Sequence, residues 1–230
     1  MKTPRTKICC IQSLAEAQLA IRYGATELGF VSHMPSGPGV ISEDKIAEII
    51  QHVPPSVNSA LLTSKQTTLE IVAQQQRCKA DIIQLCDHLD KDAYDQLKQA
   101  LPGVLLMHVI HINSDADVAE AIDMQHSVDM LLLDSGSKTT SIKTLGGTGK
   151  IHDWRLSKKI VELVNVPVFL AGGLNADNVG KAIDLVHPAG VDVCTGVRTE
   201  WRLDEAKLAT FIGNISHGAA IKAKRYDLGG

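Results

Sequence analysis

The chain has 230 residues, a formal net charge of -3, 44% hydrophobic residues and five cysteines. Its length fits one barrel-sized domain, and the small net charge argues against nucleic acid or an anionic membrane surface as a partner. No segment has the pattern of a signal peptide or a membrane span, and an odd number of cysteines without repeated C-x-x-C spacing indicates reduced thiols. We therefore expect a cytoplasmic protein, monomeric or homodimeric, whose partner is a small molecule.

Apolar runs of strand length alternate with helical patterns along the chain, which is typical of parallel α/β proteins. Strands are predicted at residues 7–11, 27–31, 57–62, 81–85, 104–109, 129–133, 168–171 and 191–194. Helices are predicted at residues 14–23, 43–51, 67–76, 91–100, 115–124, 153–164, 176–186 and 204–212, with Ser13, Ser42 and Asn175 as capping residues. Eight βα units favour a single (β/α)8 TIM barrel over residues 1–215, followed by a loosely ordered tail at 216–230.

Two strands end in residues that can exchange protons, at the end of the barrel where active sites form. Cys9 lies at the end of strand 1, and Asp134 directly follows strand 6. The thiol can act as a base and the carboxyl as an acid if a nearby charge lowers the first pKa and burial raises the second. Lys7 shares a strand face with Cys9, whereas Cys10 is expected to point to the opposite face. Cys9 could also be an ordinary buried thiol.

The later loops carry glycines where a phosphate would bind. Gly172-Gly173 follows strand 7 and Cys194-Thr195-Gly196 follows strand 8, the two positions where eight-fold barrels usually hold phosphate on backbone N–H groups. The long loop after strand 6 contains Gly146-Gly147-Thr148-Gly149 and has the length of a lid or binding loop. His108 and His111 are an odd number of residues apart, so at most one of them points into the barrel.

Taken in order, these segments resemble the phosphoribosylanthranilate isomerase family of tryptophan biosynthesis. Lys7-Ile8-Cys9 resembles the strand with the family's catalytic cysteine, and Leu131 to Asp134 resembles the strand with its catalytic aspartate. The resemblance implies an aldose–ketose isomerase that performs an Amadori rearrangement of N-(5-phosphoribosyl)anthranilate to 1-(o-carboxyphenylamino)-1-deoxyribulose 5-phosphate. Asp134 would protonate the ring oxygen and Cys9 would remove the C2 proton. No cofactor and no metal are implied.

The resemblance also implies the residues that bind this phosphorylated sugar amine. The phosphate would lie on the turns at Gly172, Gly173, Thr195 and Gly196, and Asp192 would contact the amine or the ribose hydroxyls. Lys7 and Gly147 are also predicted substrate-binding residues. Arg198 is added from this sequence itself, either to place a positive charge near the substrate or to strengthen phosphate binding.

Five positions depart from the family pattern. Gly39 stands where an arginine usually binds the anthranilate carboxylate, Cys10 replaces a glycine, Cys86-Asp87 replaces His-Gly, and Arg198 replaces a glutamate. A related isomerase for a different phosphoribosyl amine therefore remains an alternative, as does a non-catalytic sugar-phosphate-binding barrel. A metal site at Cys9, Cys86 and Cys194 with His108 or His111 is a further alternative that their spacing does not demand.

Overall fold

Eight parallel strands close into a barrel in chain order, with β8 paired to β1, and this confirms the predicted (β/α)8 fold. The computed structural model describes residues 3–35, 37–136 and 151–226, with side chains as far as residue 215. The barrel strands are β1 Arg5–Ile8, β2 Glu27–Val31, β3 Asn58–Thr63, β4 Ile82–Leu85, β5 Leu105–His111, β6 Met130–Asp134, β7 Val168–Leu170 and β8 Gly190–Val193. The helices are α1 Leu14–Arg22, α2 Glu43–Ile50, α3 Thr68–Cys78, α4 Lys91–Ala100, α5 Asp115–Met124, α6 Trp154–Leu163, α7 Val179–Val186 and α8 Glu205–Tyr226.

Alternation along the strands divides the interior into two cores. Outward-facing strand residues pack with the helices in one large cluster, whereas inward-facing residues form a smaller cluster inside the barrel. The inner cluster contains Cys9, Cys10, Val31, Ala60, Leu62, Ile82, Cys86, Met107, Val109, Met130, Leu132, Phe169 and Ala171. Because alternate residues share a face, this cluster identifies which polar side chains also point inward.

Helix capping follows the prediction at two of three positions. The side chains of Ser13 and Ser42 accept hydrogen bonds from the backbone N–H groups of Glu16 and Lys45. Asn175 is not the cap of α7, which begins three residues later with Asn178 at its N-cap. The Asn175 side chain instead accepts from Asp177 and Asn178 N–H, so it orders the turn that precedes the helix.

Strand 1 ends earlier than its apolar pattern suggests. It ends at Ile8, and Cys10 has a φ of 63°, in the left-handed region. Alternation no longer applies past the strand end, so Cys10 lies in the inner cluster together with Cys9. The expectation that Cys10 faces the opposite side is therefore wrong.

The C-terminal part contains two features that the sequence pattern missed. A short hairpin follows β8, formed by β9 Arg198–Thr199 and β10 Arg202–Leu203, and each strand is too short to show a periodicity. The backbone of α8 continues to Tyr226 and does not end at residue 212. Loose order of residues 216–230 stays a prediction. Within the described part of the chain, no helix combines the length and the apolar character of a membrane span.

Candidate active site

A buried ion pair connects the first and last strands at the mouth of the barrel. Lys7 and Asp192 are direct neighbours in the β1–β8 register, and Lys7 Nζ lies 2.8 Å from Asp192 Oδ1. The Lys7 side chain is fully buried. Burial lowers the pKa of Lys7, but the charges of Asp192 and Cys9 raise it more, so its pKa is above the usual value. The structure thus brings together three residues of the predicted site and keeps the ammonium charged.

Gly29 on β2 provides the space that these side chains occupy. A Cβ atom at this position would lie 2.9 Å from the Cys9 sulfur and 3.0 Å from Lys7 Nζ. Such contacts are closer than van der Waals packing allows, so any larger residue would displace the thiol or the ammonium. Sequence analysis did not nominate Gly29, because nothing local shows which neighbours approach it.

The thiols of Cys9, Cys10 and Cys194 form a connected row. The Sγ atoms of Cys194 and Cys10 are 2.7 Å apart. A hydrogen bond from the Cys10 thiol lowers the pKa of Cys9, burial opposes this effect, and the charge of Lys7 lowers the pKa further. Contacts with Cys194 and Cys9 hold the pKa of Cys10 well above its usual value. Cys9 therefore ionises more readily than Cys10, as a base requires.

Asp134 ends β6 at the same mouth, and burial raises the pKa of its carboxyl group. The backbone N–H of Ser135 donates a hydrogen bond of 2.7 Å to Asp134 Oδ1, and the charges of His111 and Lys7 also work against the increase. A raised pKa keeps a carboxyl group protonated at higher pH, which is the form that donates a proton.

Of the two histidines on β5, His111 points into the barrel and His108 points out. His111 shares a face with Met107 and Val109 of the inner cluster and is the register neighbour of Asp134. His111 is buried and was not among the predicted site residues. The sequence pattern ended this strand at residue 109, whereas β5 continues to His111 and so places the His111 side chain inside the barrel.

The two predicted phosphate turns are adjacent in space. Gly172 and Gly173 have φ values of 81° and 64°, and a parallel bridge joins Asn175 to Gly196. A Cβ on Gly196 would lie 2.0 Å from the Leu174 carbonyl oxygen, so only glycine permits this contact. Thr195 is partly exposed beside it. Gly147, the remaining predicted glycine, lies outside the described residues.

His152 packs against the glycine turn that follows β7. His152 donates or accepts a 2.7 Å hydrogen bond with Ser157 Oγ, and a Cβ on Gly172 would lie 2.9 Å from its Nδ1. Burial lowers the pKa of His152 to about 4, so its imidazole is neutral at pH 7. The local sequence carries no signal for this contact.

Arg198 is buried, and its guanidinium is bonded to the protein itself. It donates to the backbone carbonyls of Cys9 and Cys10 at 3.1 and 2.6 Å and to both carboxylate oxygens of Glu16 at 3.0 and 3.2 Å. The side chain of Arg198 is only 2% exposed. These contacts favour a role in holding the Cys9-Cys10 backbone over direct contact with a ligand.

Gly39 and Cys10, two of the positions that depart from the family pattern, are in contact. Gly39 has a φ of 80°, and a Cβ on it would lie 2.5 Å from the Cys10 Cβ. An arginine cannot therefore occupy position 39 while the backbone keeps this conformation and Cys10 is present. Cys86 is also buried in the barrel, where burial raises its pKa to about 12, so it remains a neutral thiol.

The described residues do not unite the cysteines into a metal site. The ligand atoms of Cys9, Cys86 and Cys194 do not converge within metal-binding distance of one another, and His108 faces away from them. The barrel mouth presents a thiol, a carboxyl group and glycine turns with backbone N–H groups, which are the groups that proton transfer and anion binding use.

Comparison with known proteins identifies the family that this chain matches. The sequence model of the family described as N-(5'phosphoribosyl)anthranilate (PRA) isomerase matches residues 6–214. N-(5'-phosphoribosyl)anthranilate isomerase of Methanocella arvoryzae is 32% identical over 204 residues, covering 89% of this chain and 93% of the relative. The enzyme of that name from Nostoc punctiforme is 35% identical, covering 84% and 89%. The crystal structure of phosphoribosyl anthranilate isomerase from Thermotoga maritima superimposes with a TM-score of 0.79 at 26% identity, over 93% of this chain and 99% of that one.

Proposed function

The chain belongs to the N-(5'-phosphoribosyl)anthranilate isomerase family, and we propose that Cys9 and Asp134 catalyse this family's Amadori rearrangement in tryptophan biosynthesis. The observation that carries the proposal is the placement of two proton-transfer groups at one barrel mouth: Cys9 lies beside Lys7, and Asp134 ends β6. These surroundings lower the pKa of Cys9 and raise that of Asp134. An acid and a base of this kind are what the reaction needs.

In the first step, Asp134 donates its proton to the furanose ring oxygen of the substrate. The C1–O bond breaks, the ring opens and the nitrogen lone pair forms a Schiff base with C1. Burial favours the neutral carboxyl before this transfer. Lys7 then stabilises the carboxylate that remains, because its charge acts on Asp134.

In the second step, the Cys9 thiolate removes the proton from C2. The C2–H electron pair forms the C1–C2 double bond while the π pair of the C1–N double bond returns to nitrogen. The resulting enolamine tautomerises to the ketone. Hydrogen moves only within the substrate and two side chains, so the balance requires no external oxidant or reductant. The bond from Cys10 and the charge of Lys7 stabilise the thiolate at the start of this step.

The remaining residues bind and position. We assign the phosphate to the backbone N–H groups of the adjoining turns at Gly172-Gly173 and Thr195-Gly196, and Asp192 to the amine or ribose hydroxyls. Arg198 keeps the Cys9 backbone in place through its carbonyl contacts. A small phosphorylated substrate of this kind is consistent with a cytoplasmic location, which we propose with it.

The direct test follows the fluorescence of the anthranilate group of N-(5-phosphoribosyl)anthranilate after enzyme is added. Fluorescence should fall with the native protein, and Cys9→Ala and Asp134→Asn should each reduce kcat by about 10²–10⁴-fold, the usual contribution of one acid or base. Cys78→Ala, a buried thiol on α3, and Asp95→Asn, an exposed carboxylate on α4, are the matched controls. Full activity of both active-site variants would refute the mechanism, and absence of any turnover would favour a binding protein.

A related substrate is favoured by one observation, the contact between Gly39 and Cys10. No arginine can enter at position 39, and the segment from His33 to Gly39 contains no lysine or arginine. A lost charge-assisted bond to a carboxylate weakens binding by roughly 1.5–3 kcal/mol. Turnover of phosphoribosyl amines with and without the ortho-carboxylate separates the two: a KM that does not change when the carboxylate is removed supports the related substrate.

A further inference from the structure

Two histidines and a glutamate converge outside the barrel, between α4 and α5. His88 lies in the loop after β4, His108 on β5 and Glu120 on α5, and one ligand atom from each lies within 4.8 Å of the others. His88 Nε2 is 2.8 Å from Glu120 Oε1, and the two imidazole centroids are 5.0 Å apart. Three separate elements thus bring two imidazoles and one carboxylate together at one place.

His108 occupies a position that the fold would otherwise fill with an apolar residue. Its outward-facing neighbours on β5, Leu106 and Ile110, are buried in the core between strands and helices, and His108 is fully buried beside them. A buried polar residue in such a row is informative. The Tyr94 hydroxyl lies 3.2 Å from His108 Nδ1 and orients the ring. Metal-ligating histidines are held in this way by a partner on their other nitrogen.

The surroundings are suited to a cation and accessible to one. The Glu120 side chain is 19% exposed and that of His88 is 48% exposed, so one edge of the cluster opens to solvent. Glu120 supplies the carboxylate of the cluster, 2.8 Å from His88 Nε2, so the two imidazoles lie beside a negatively charged ligand group.

We propose that His88, His108 and Glu120 bind a divalent transition metal of the Zn²⁺ class. Two imidazoles and one carboxylate form a known zinc ligand set, and a water would take the fourth tetrahedral position at the open edge beside His88. The metal would connect the β4–α4 loop to β5 and α5. Because His108 faces away from the barrel interior, this site is separate from the acid–base pair, and the proposal does not depend on the proposed function.

The test uses the full chain, stripped of metal by dialysis against a chelator and titrated with Co²⁺ as a spectroscopic substitute for Zn²⁺. One Co²⁺ per chain should bind with the visible absorption of a tetrahedral site and without the near-ultraviolet charge-transfer band of thiolate ligands. Tyr94→Phe should weaken binding by about 10–100-fold, as loss of an outer partner does, and His88→Ala by more than this. His52→Ala removes an exposed histidine elsewhere and should bind as the native chain does.

Three results would overturn the proposal. One is the absence of Co²⁺ binding to a folded chain, and another is equal binding by His88→Ala and His52→Ala. The third is a thiolate charge-transfer band that disappears in Cys194→Ala, which would place the metal at the thiols of the barrel mouth. Since His88 is half-exposed, His88→Ala should fold, and a circular dichroism spectrum of each variant verifies this.

Discussion

At the scale of single residues, Gly29 determines where the Cys9 thiol can lie. Its missing Cβ would be 2.9 Å from the sulfur and 3.0 Å from Lys7 Nζ, so the position couples β2 to both groups. The β2–β1 register places it there, and the third close atom, the Cys9 Cα at 3.1 Å, belongs to the backbone of the residue that carries the thiol. The position of the proposed base therefore depends on a residue without a functional side chain.

Gly29→Ala should reduce kcat/KM by on the order of 10²-fold, the effect of about 1 Å of misplacement. Gly213→Ala is the matched control, because a Cβ at this helical position meets nothing within 4 Å. It should keep full activity. Steady-state assays measure kcat/KM of both variants. A fully active Gly29→Ala variant would show that the thiol position does not depend on this glycine.

The proposed acid Asp134 also affects the stability of the chain, because its raised pKa makes its ionisation destabilising. The pKa of Asp134 is raised in the folded chain, so the folded state holds its proton more tightly than the unfolded state. Stability is then lost as pH rises from the ordinary value of about 3.9 through the folded value. Asp134→Asn removes this ionisation and can still accept the bond from Ser135 N–H.

Asp134→Asn should consequently have a higher Tm than the native chain at pH 7 although it loses most of its activity. The difference should disappear at low pH, where Asp134 is protonated in both states. Thermal unfolding across this pH range measures it, with Asp95→Asn as the exposed control. A lower Tm for Asp134→Asn at pH 7 would contradict the raised pKa.

At the scale of elements, Arg198 and Glu16 join three parts of the chain. Arg198 comes from β9, Glu16 from the first turn of α1, and the bound carbonyls of Cys9 and Cys10 from the end of β1. Glu16 also accepts from the N–H groups of Gln12 and Leu203. The pair therefore holds the backbone segment that carries Cys9, although Arg198 was predicted as a substrate-binding residue.

Arg198→Met should destabilise the chain by about 3–5 kcal/mol, because it leaves the carboxylate of Glu16 without its buried partner. Adding Glu16→Gln should recover part of this loss. Urea unfolding of the single and double variants measures both effects, and Arg202→Met, an exposed arginine on β10, should change little. If Arg198→Met lowers the free energy of unfolding by less than about 0.5 kcal/mol, the usual range of surface substitutions, the Arg198–Glu16 pair does not hold this segment.

At the scale of the whole molecule, the two turns to which we assign the phosphate lie side by side at the ends of β7 and β8. A ligand that binds only the folded state adds about 2.7 kcal/mol at a concentration of 100 Kd. Ribose 5-phosphate should therefore raise the Tm of the native chain. The response should reflect the turns themselves and not the general stability of the barrel.

Gly173→Ala tests this, since a residue with a side chain is strained at its φ of 64°. The variant should respond less to ribose 5-phosphate than the native chain. Gly103→Ala provides the control, because Gly103 also has a positive φ, of 86°, but lies in the turn before β5, where a Cβ has open space. It should lose similar stability and keep the ligand response. Equal responses of the two variants would place the phosphate elsewhere.

The sequence by itself determined the number and order of the strands, because burial on both faces makes each one an apolar run between helical periods. Strand order then placed Cys9, Asp134 and the glycine turns at one end, since barrel strands are parallel. Local capping was readable where a serine directly preceded a helix, as at Ser13 and Ser42. These properties depend on residues close together in the chain.

Only the tertiary structure decided which distant side chains meet. Lys7 and Asp192 are 185 positions apart, and only the closed barrel register makes them neighbours. The left-handed Cys10, the burial of Arg198 on Glu16 and the convergence of His88, His108 and Glu120 likewise arise from contacts between separate elements. Periodicity reports which face a residue takes, but the identity of the group opposite it depends on how the whole chain closes.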